Sequence, residues 1–221
     1  MLTFVAVCSG LLLLALVRPD ALYVAARRGC RLILRATGAR VTFEGEVPRE
    51  GTFIVMANHS SFIDLFLVPA ILPGRYTGVM AEEMMQVPLL LPVLRRLRVV
   101  PIVREQFERA VSSLRMAEDA LRDGYHVAIL PEGTRTTTGQ MLPFKSGPFY
   151  MALHTRAPIV PVGITGAFEL KPKDRWTIDP GPVRVRIGAP IPPEEYEALG
   201  TAGLKERVRA EIAALAGPAP P

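Results

Sequence analysis

Several things are scarce or missing in this 221-residue chain, and each absence removes a class of chemistry. Cysteine occurs twice, as Cys8 and Cys30; two thiols near one end make no disulfide framework and fit a reducing compartment. The three histidines, His59, His126 and His154, stand far apart and lack zinc-ligand spacing, so no metal is expected. No Gly-x-Ser-x-Gly elbow occurs, which argues against a serine hydrolase. Neither a Walker loop nor Gly-x-Gly-x-x-Gly is present. The arginines are not interleaved with aromatics and no nucleic-acid motif appears, so no nucleic-acid partner is expected. Neither a repeat nor a linker breaks the chain, and its length suits one domain with a real core. The excess of basic over acidic residues, 26 to 21, gives +5. That modest charge suits an anionic lipid surface or a phosphorylated substrate. Apolar residues make up 49% with positive mean hydropathy, high for a purely soluble protein.

The most informative stretch is Asn58-His59-Ser60-Ser61-Phe62-Ile63-Asp64. The apolar run Phe53 to Ala57 before it reads as a buried strand, and Phe62 to Ile71 reads as the following helix. Positions five apart point to different faces of one helix, so His59 and Asp64 can meet only if the chain turns between them. An imidazole is the natural proton acceptor at neutral pH, and a carboxylate on its other nitrogen fixes the tautomer and supports the imidazolium. Ser60 and Ser61 read as helix-start caps, not as nucleophiles. Downstream, the strand His126 to Leu130 runs into Pro131-Glu132-Gly133-Thr134-Arg135. Pro131 ends the strand and Gly133 allows a sharp turn or close approach. Charged groups at a strand end stand where open α/β sheets bind ligands. A further apolar strand, Val99 to Val103, ends in Arg104. Another, Pro158 to Ile164, carries Pro161, and Phe144-Lys145-Ser146-Gly147 precedes a helix.

Together these pieces resemble the glycerolipid acyltransferase family, the group that includes the 1-acyl-sn-glycerol-3-phosphate (lysophosphatidic acid) acyltransferases. The family pattern is His-x4-Asp, an arginine-ended strand, Glu-Gly-Thr-Arg and a Val-Pro-Val-type strand. All four occur in that order between Asn58 and Ile164. One departure lies just before Arg104, where family members often carry a glycine and this chain has Arg98 and Val99. The resemblance implies that His59 and Asp64 are catalytic, and that Glu132, Gly133 and Thr134 shape the acceptor site. Arg104, Arg135 and Lys145 would hold its phosphate, since cationic side chains, and arginine above all, meet phosphate oxygens well. It implies no bound cofactor. The acyl-CoA or acyl carrier protein thioester is a co-substrate, the acceptor is a lysophospholipid, and the product belongs to phospholipid biosynthesis. Glycerol-3-phosphate, another lysophospholipid or a lyso-aminolipid is the alternative acceptor. A non-catalytic lipid-binding protein is the alternative class. For the tetrahedral oxyanion, backbone amides at the helix start are expected.

The remaining chain predicts a single α/β domain over residues 38–216, a mixed sheet flanked by helices, then a frayed tail over 217–221. Strands are expected at Val41–Gly45 and Thr52–Ala57, joined by a polar turn, with others at Gly78–Ala81 and an exposed Val183–Ile187. Helices are expected at Glu105–Arg122 and Leu204–Leu215. Residues 1–37 read as a membrane-anchoring helical pair. Leu2 to Val17 is an uncharged apolar run of sixteen residues, about 24 Å as a helix and short of a bilayer core. Ala21 to Thr37 is amphipathic, with Arg27, Arg31 and Arg35 at four-residue spacing beside Arg28. That is the pattern of an interfacial anchor on a phospholipid bilayer, and it predicts a membrane-associated protein whose catalytic domain faces the cytoplasm.

Overall fold

The computed structural model describes residues 21–86, 91–102 and 107–217, together with Thr3, Ala6, Val7, Ser9, Gly10 and Leu13. Seven strands form one sheet: β1 (Ala39–Glu44), β2 (Ile54–Ala57), β3 (Tyr76–Ala81), β4 (Val100–Ile102), β5 (His126–Ile129), β6 (Ile159–Thr165) and β7 (Gly181–Ile187). Their order is β1-β7-β6-β2-β5-β3-β4. All neighbours pair in parallel except β6 and β7. The longer helices are α1 (Leu22–Ala36), α2 (Asp64–Ile71), α3 (Leu91–Arg96), α4 (Phe107–Arg122), α5 (Gly147–Thr155) and α8 (Gly200–Ala216). Two four-residue helices are α6 (Ala167–Leu170) and α7 (Pro193–Tyr196). The expected single α/β domain with a mixed, helix-flanked sheet is what forms.

The central strand β2 explains the layering. All four of its residues are buried, as a parallel strand covered on both faces requires. One helical layer is α1 with α2; another is α4, α5 and α8. Three adjacent parallel strands, β6, β2 and β5, therefore end at the same edge of the sheet. Met56 lies opposite Ile129 and Ala57 opposite Val162, so the loops after these strands emerge side by side. That edge is where α/β sheets place their chemistry.

Two sequence expectations differ from what forms. β1 and β2, joined by a short polar segment, are not neighbours: β1 pairs in parallel with β7 at the far side of the sheet. β7 itself is interior, with Val183 and Val185 buried and the alternate residues half-exposed.

The expected amphipathic helix over Ala21–Thr37 forms as α1. Its apolar residues Leu22, Tyr23, Ala26 and Leu34 join the protein's own core, and Tyr23 packs edge-on against Tyr76 at 5.4 Å. Two of its arginines serve α2. Arg31 donates to the Ala70 carbonyl at 2.9 Å and Arg27 to the Leu72 carbonyl at 3.4 Å, satisfying groups that a helix C-terminus leaves open. The outward face of α1 presents Val24 and Leu32 beside Arg28 and Arg35. Most of the run Leu2–Val17 lies outside the described residues. Among those described, no helix is long and apolar enough to cross a membrane.

The departure before Arg104 has a structural answer. Arg98 takes the left-handed conformation, φ 55°, that a glycine adopts most readily. Its guanidinium is held by Asp123 at 2.7 Å and lies 5.0 Å from the Tyr125 ring centroid.

Candidate active site

The chain turns between His59 and Asp64 as their spacing requires. His59 leaves the end of β2, Asp64 opens α2, and the imidazole Nδ1 lies 2.9 Å from Asp64 Oδ2. The same carboxylate oxygen accepts the Ser60 and Ser61 backbone N–H groups, each at 2.8 Å. Asp64 is fully buried and the His59 side chain is 12% exposed. With Nδ1–H donated to Asp64, the lone pair sits on Nε2 at the rim of the sheet.

Glu132 stands behind this turn. Its Oε1 accepts the His59 N–H at 2.6 Å and its Oε2 accepts the Leu142 N–H at 2.7 Å. The Thr136 N–H returns a bond to the His59 carbonyl at 3.2 Å. Burial pushes the Glu132 carboxyl upward, against the pull of those two donors. Both oxygens are therefore engaged by backbone, and Glu132 braces His59.

Asn58 fixes the other side. Its side-chain amide exchanges two bonds with the Ile164 backbone, at 2.8 and 2.7 Å, replacing a ladder pair where β2 leaves β6. Ser61 Oγ donates to the Lys171 carbonyl at 2.9 Å and accepts the Ile63 N–H at 3.2 Å. The expected serine caps do not form: the N-cap position of α2 is Ile63, without a side-chain cap, and only the Ser61 hydroxyl ties the turn. Of the amides between His59 and Ile63, that of His59 is bound by Glu132 and those of Ser60, Ser61 and Ile63 are engaged within the turn.

The Glu-Gly-Thr-Arg loop follows β5. Gly133 has φ 71°, and its open face lies against the Lys145 stem, where a Cβ would sit 3.6 Å from Lys145 Cγ. The Lys145 backbone N–H donates to the Pro131 carbonyl at 2.8 Å. Arg135 is half-buried and Lys145 exposed. Among the described residues neither side chain has an ion-pair or hydrogen-bond partner. Arg104 lies outside the described residues.

Sequence reasoning missed two cations. Lys173 Nζ reaches to 3.5 Å from Thr134 Oγ1. Burial, with the Arg135 charge nearby, pushes the Lys171 ammonium downward. Nothing in Lys-Pro-Lys distinguishes it from a solvated turn; only the fold brings it to this loop. Among the described residues no cluster of side chains is suited to a metal ion. The other histidines lie elsewhere. His126 is buried and stacked on Phe53 at 3.9 Å, its pKa pushed down to about 4 by burial, and His154 pairs with Glu118 at 3.1 Å.

Beside the turn, Phe62 and Phe66 of the α2 segment line an apolar cavity of about 140 Å³ with Cys30, Met80, Val93 and Leu94. Val93 and Leu94 come from α3, and residues 87–90 before it lie outside the described residues.

Known proteins share both sequence and fold with this chain. The Acyltransferase family model matches residues 39–165, from the start of β1 to the end of β6. A 1-acyl-sn-glycerol-3-phosphate acyltransferase of Cocos nucifera is 30% identical over 168 residues, 76% of this chain and 54% of that protein. The human 1-acyl-sn-glycerol-3-phosphate acyltransferase alpha is 30% identical over 175 residues, 78% of this chain and 62% of that protein. This chain thus spans somewhat over half the length of those curated relatives. The crystal structure of the 1-acyl-sn-glycerophosphate (LPA) acyltransferase PlsC from Thermotoga maritima superposes with TM-score 0.71 at 26% identity, covering 96% of this chain and 93% of that one. The matched residues hold His59, Asp64 and the Glu-Gly-Thr-Arg loop, and they amount to more than half of the sequence: the chain belongs to the acyltransferase family.

Proposed function

We propose that this protein transfers a fatty acyl group from a thioester, acyl-CoA or acyl carrier protein, to the free sn-2 hydroxyl of lysophosphatidic acid, giving phosphatidic acid. The observation that carries the reading is the 2.9 Å contact between His59 Nδ1 and Asp64, which leaves Nε2 as a base at the sheet edge. Nε2 takes the acceptor's hydroxyl proton while the oxygen attacks the thioester carbonyl. The tetrahedral adduct collapses, the C–S bond breaks, and the imidazolium returns its proton to the leaving thiolate. Asp64 stabilises the imidazolium while it exists.

Arg135, Lys145 and Lys173 surround the Thr134 side of the loop with positive charge, which suits the acceptor's phosphate. The expected Arg104, outside the described residues, is assigned the same role. The cavity beside Phe62 suits an acyl chain by its lining. The outward Val24 and Leu32 of α1, flanked by Arg28 and Arg35, suit a phospholipid surface, with the catalytic domain on the cytoplasmic side.

Thiol release tests the acceptor. Lysophosphatidic acid, glycerol-3-phosphate and a lysophospholipid lacking the terminal phosphate are compared, each with both donors. Lysophosphatidic acid should be preferred. Arg135→Ala should raise the acceptor KM by about tenfold, the loss of one charge-assisted phosphate contact, and leave the donor KM unchanged. A rise in the donor KM alone would assign the arginine to the donor.

A further inference from the structure

The loop of residues 171–180, between α6 and β7, carries the chain's one tryptophan. Trp176 is 96% exposed, and Ile178 two residues on is also exposed. Indole at such exposure is unfavourable in water and favourable at a membrane interface, where its apolar body and polar N–H are both satisfied.

The loop is pinned at its neck. The Asp179 N–H donates to the Leu170 carbonyl at 2.9 Å. The Arg175 guanidinium donates to the Glu169 and Leu170 carbonyls at 2.7 and 2.9 Å and pairs with Asp179 at 2.7 Å. Trp176, the next residue, projects outward from this clamp. The loop is also tied to the catalytic turn. Ser61 Oγ bonds the Lys171 carbonyl, and Lys173 Nζ reaches Thr134 of the Glu-Gly-Thr-Arg loop. An exposed indole on a loop clamped to the active site stands at the site's rim.

We propose that residues 171–178 are a membrane contact, in which Trp176 and Ile178 enter the headgroup–acyl boundary of a phospholipid bilayer and set the mouth of the His59 site on its surface. The occupant is a bilayer because the proposed acceptor and product are bilayer lipids, and the inference rests on that reading. Lys173, three residues before the indole in sequence, lies at the level of the headgroup phosphates in this arrangement.

The single tryptophan makes the test direct, since all indole emission comes from this loop. Full-length protein is mixed with phosphatidylcholine vesicles containing phosphatidylglycerol. Trp176 emission should shift to the blue, its quenching by acrylamide should fall, and lipids brominated near the headgroup end of their chains should quench it. Unchanged emission, whether or not the protein floats with the vesicles, overturns the proposal. Trp176→Ala should lower vesicle affinity about tenfold. It should cut turnover of acceptor embedded in vesicles while turnover of a short-chain monomeric acceptor stays within about twofold. Equal losses on both acceptors overturn it. A vesicle-dependent shift in a protein without acyl transfer would leave the membrane contact standing and remove the proposed reaction. Transfer with no shift would do the reverse.

Discussion

Replacing Asp64 by asparagine separates the charge of this carboxylate from its geometry. Oδ2 accepts three donors, from His59 Nδ1, Ser60 N and Ser61 N, whereas Oδ1 is buried without a partner. In Asp64→Asn the amide oxygen can take the place of Oδ2 and keep all three donors, with the NH2 group at the empty Oδ1 side. The turn and the imidazole tautomer then persist and only the negative charge is lost. Charges about 4 Å apart at an effective dielectric near 20 attract by about 4 kcal/mol. The imidazolium is only partly developed in the transition state, so about 2–4 kcal/mol is at stake, roughly 30- to 1000-fold in kcat. Asp64→Ala is a poorer probe: it also strips the Ser60 and Ser61 amides of their acceptor, at about 1–3 kcal/mol each. The assay is thiol release at saturating lysophosphatidic acid, with thermal melting alongside. A folded Asn variant with kcat within about twofold of wild type would refute the role given to the charge.

Two further outcomes are expected. Glu132→Gln keeps the size but sets an NH2 group against either the His59 or the Leu142 amide; it should cost about 1–3 kcal/mol of stability and lower kcat more than it alters the acceptor KM, read by melting and full kinetics. His126 is held neutral by burial, its pKa down to about 4 from 6.5, so the unfolded chain binds the extra proton first. The stabilisation is complete above pH 6.5 and drains away as pH falls towards 4, by about 3 kcal/mol at 1.36 kcal/mol per unit. Denaturant melts at pH 7.5 and pH 4 should show that component in wild type and not in His126→Gln; identical pH dependence would contradict it.

The His59–Asp64 corner was legible because a strand signal, a five-residue spacing and a helix signal lie in one continuous segment. The Glu-Gly-Thr-Arg loop was legible for the same reason. What supports the corner was not. Glu132 braces His59 across 73 positions, and Asn58 bonds Ile164 across 106; such separations leave no local pattern. The place of β1 was hidden too, because a short polar connection suggests neighbours, whereas its partner β7 lies 142 positions away at Ala39 and Gly181. The arginine period of α1 was visible, but its use was not: two of those side chains finish the end of α2, a role set by tertiary packing. Lys173 carries no signal of its own and matters only because the loop after α6 folds back to Thr134.

The most direct measurement is thiol release from acyl-CoA by wild type and His59→Ala, with and without lysophosphatidic acid. Wild type should release thiol in an acceptor-dependent way, with phosphatidic acid formed in equal amount. A folded His59→Ala protein should lose that activity by about 100-fold or more. Near-normal, acceptor-dependent release by the alanine variant would contradict His59 as the base and, with it, the proposed mechanism.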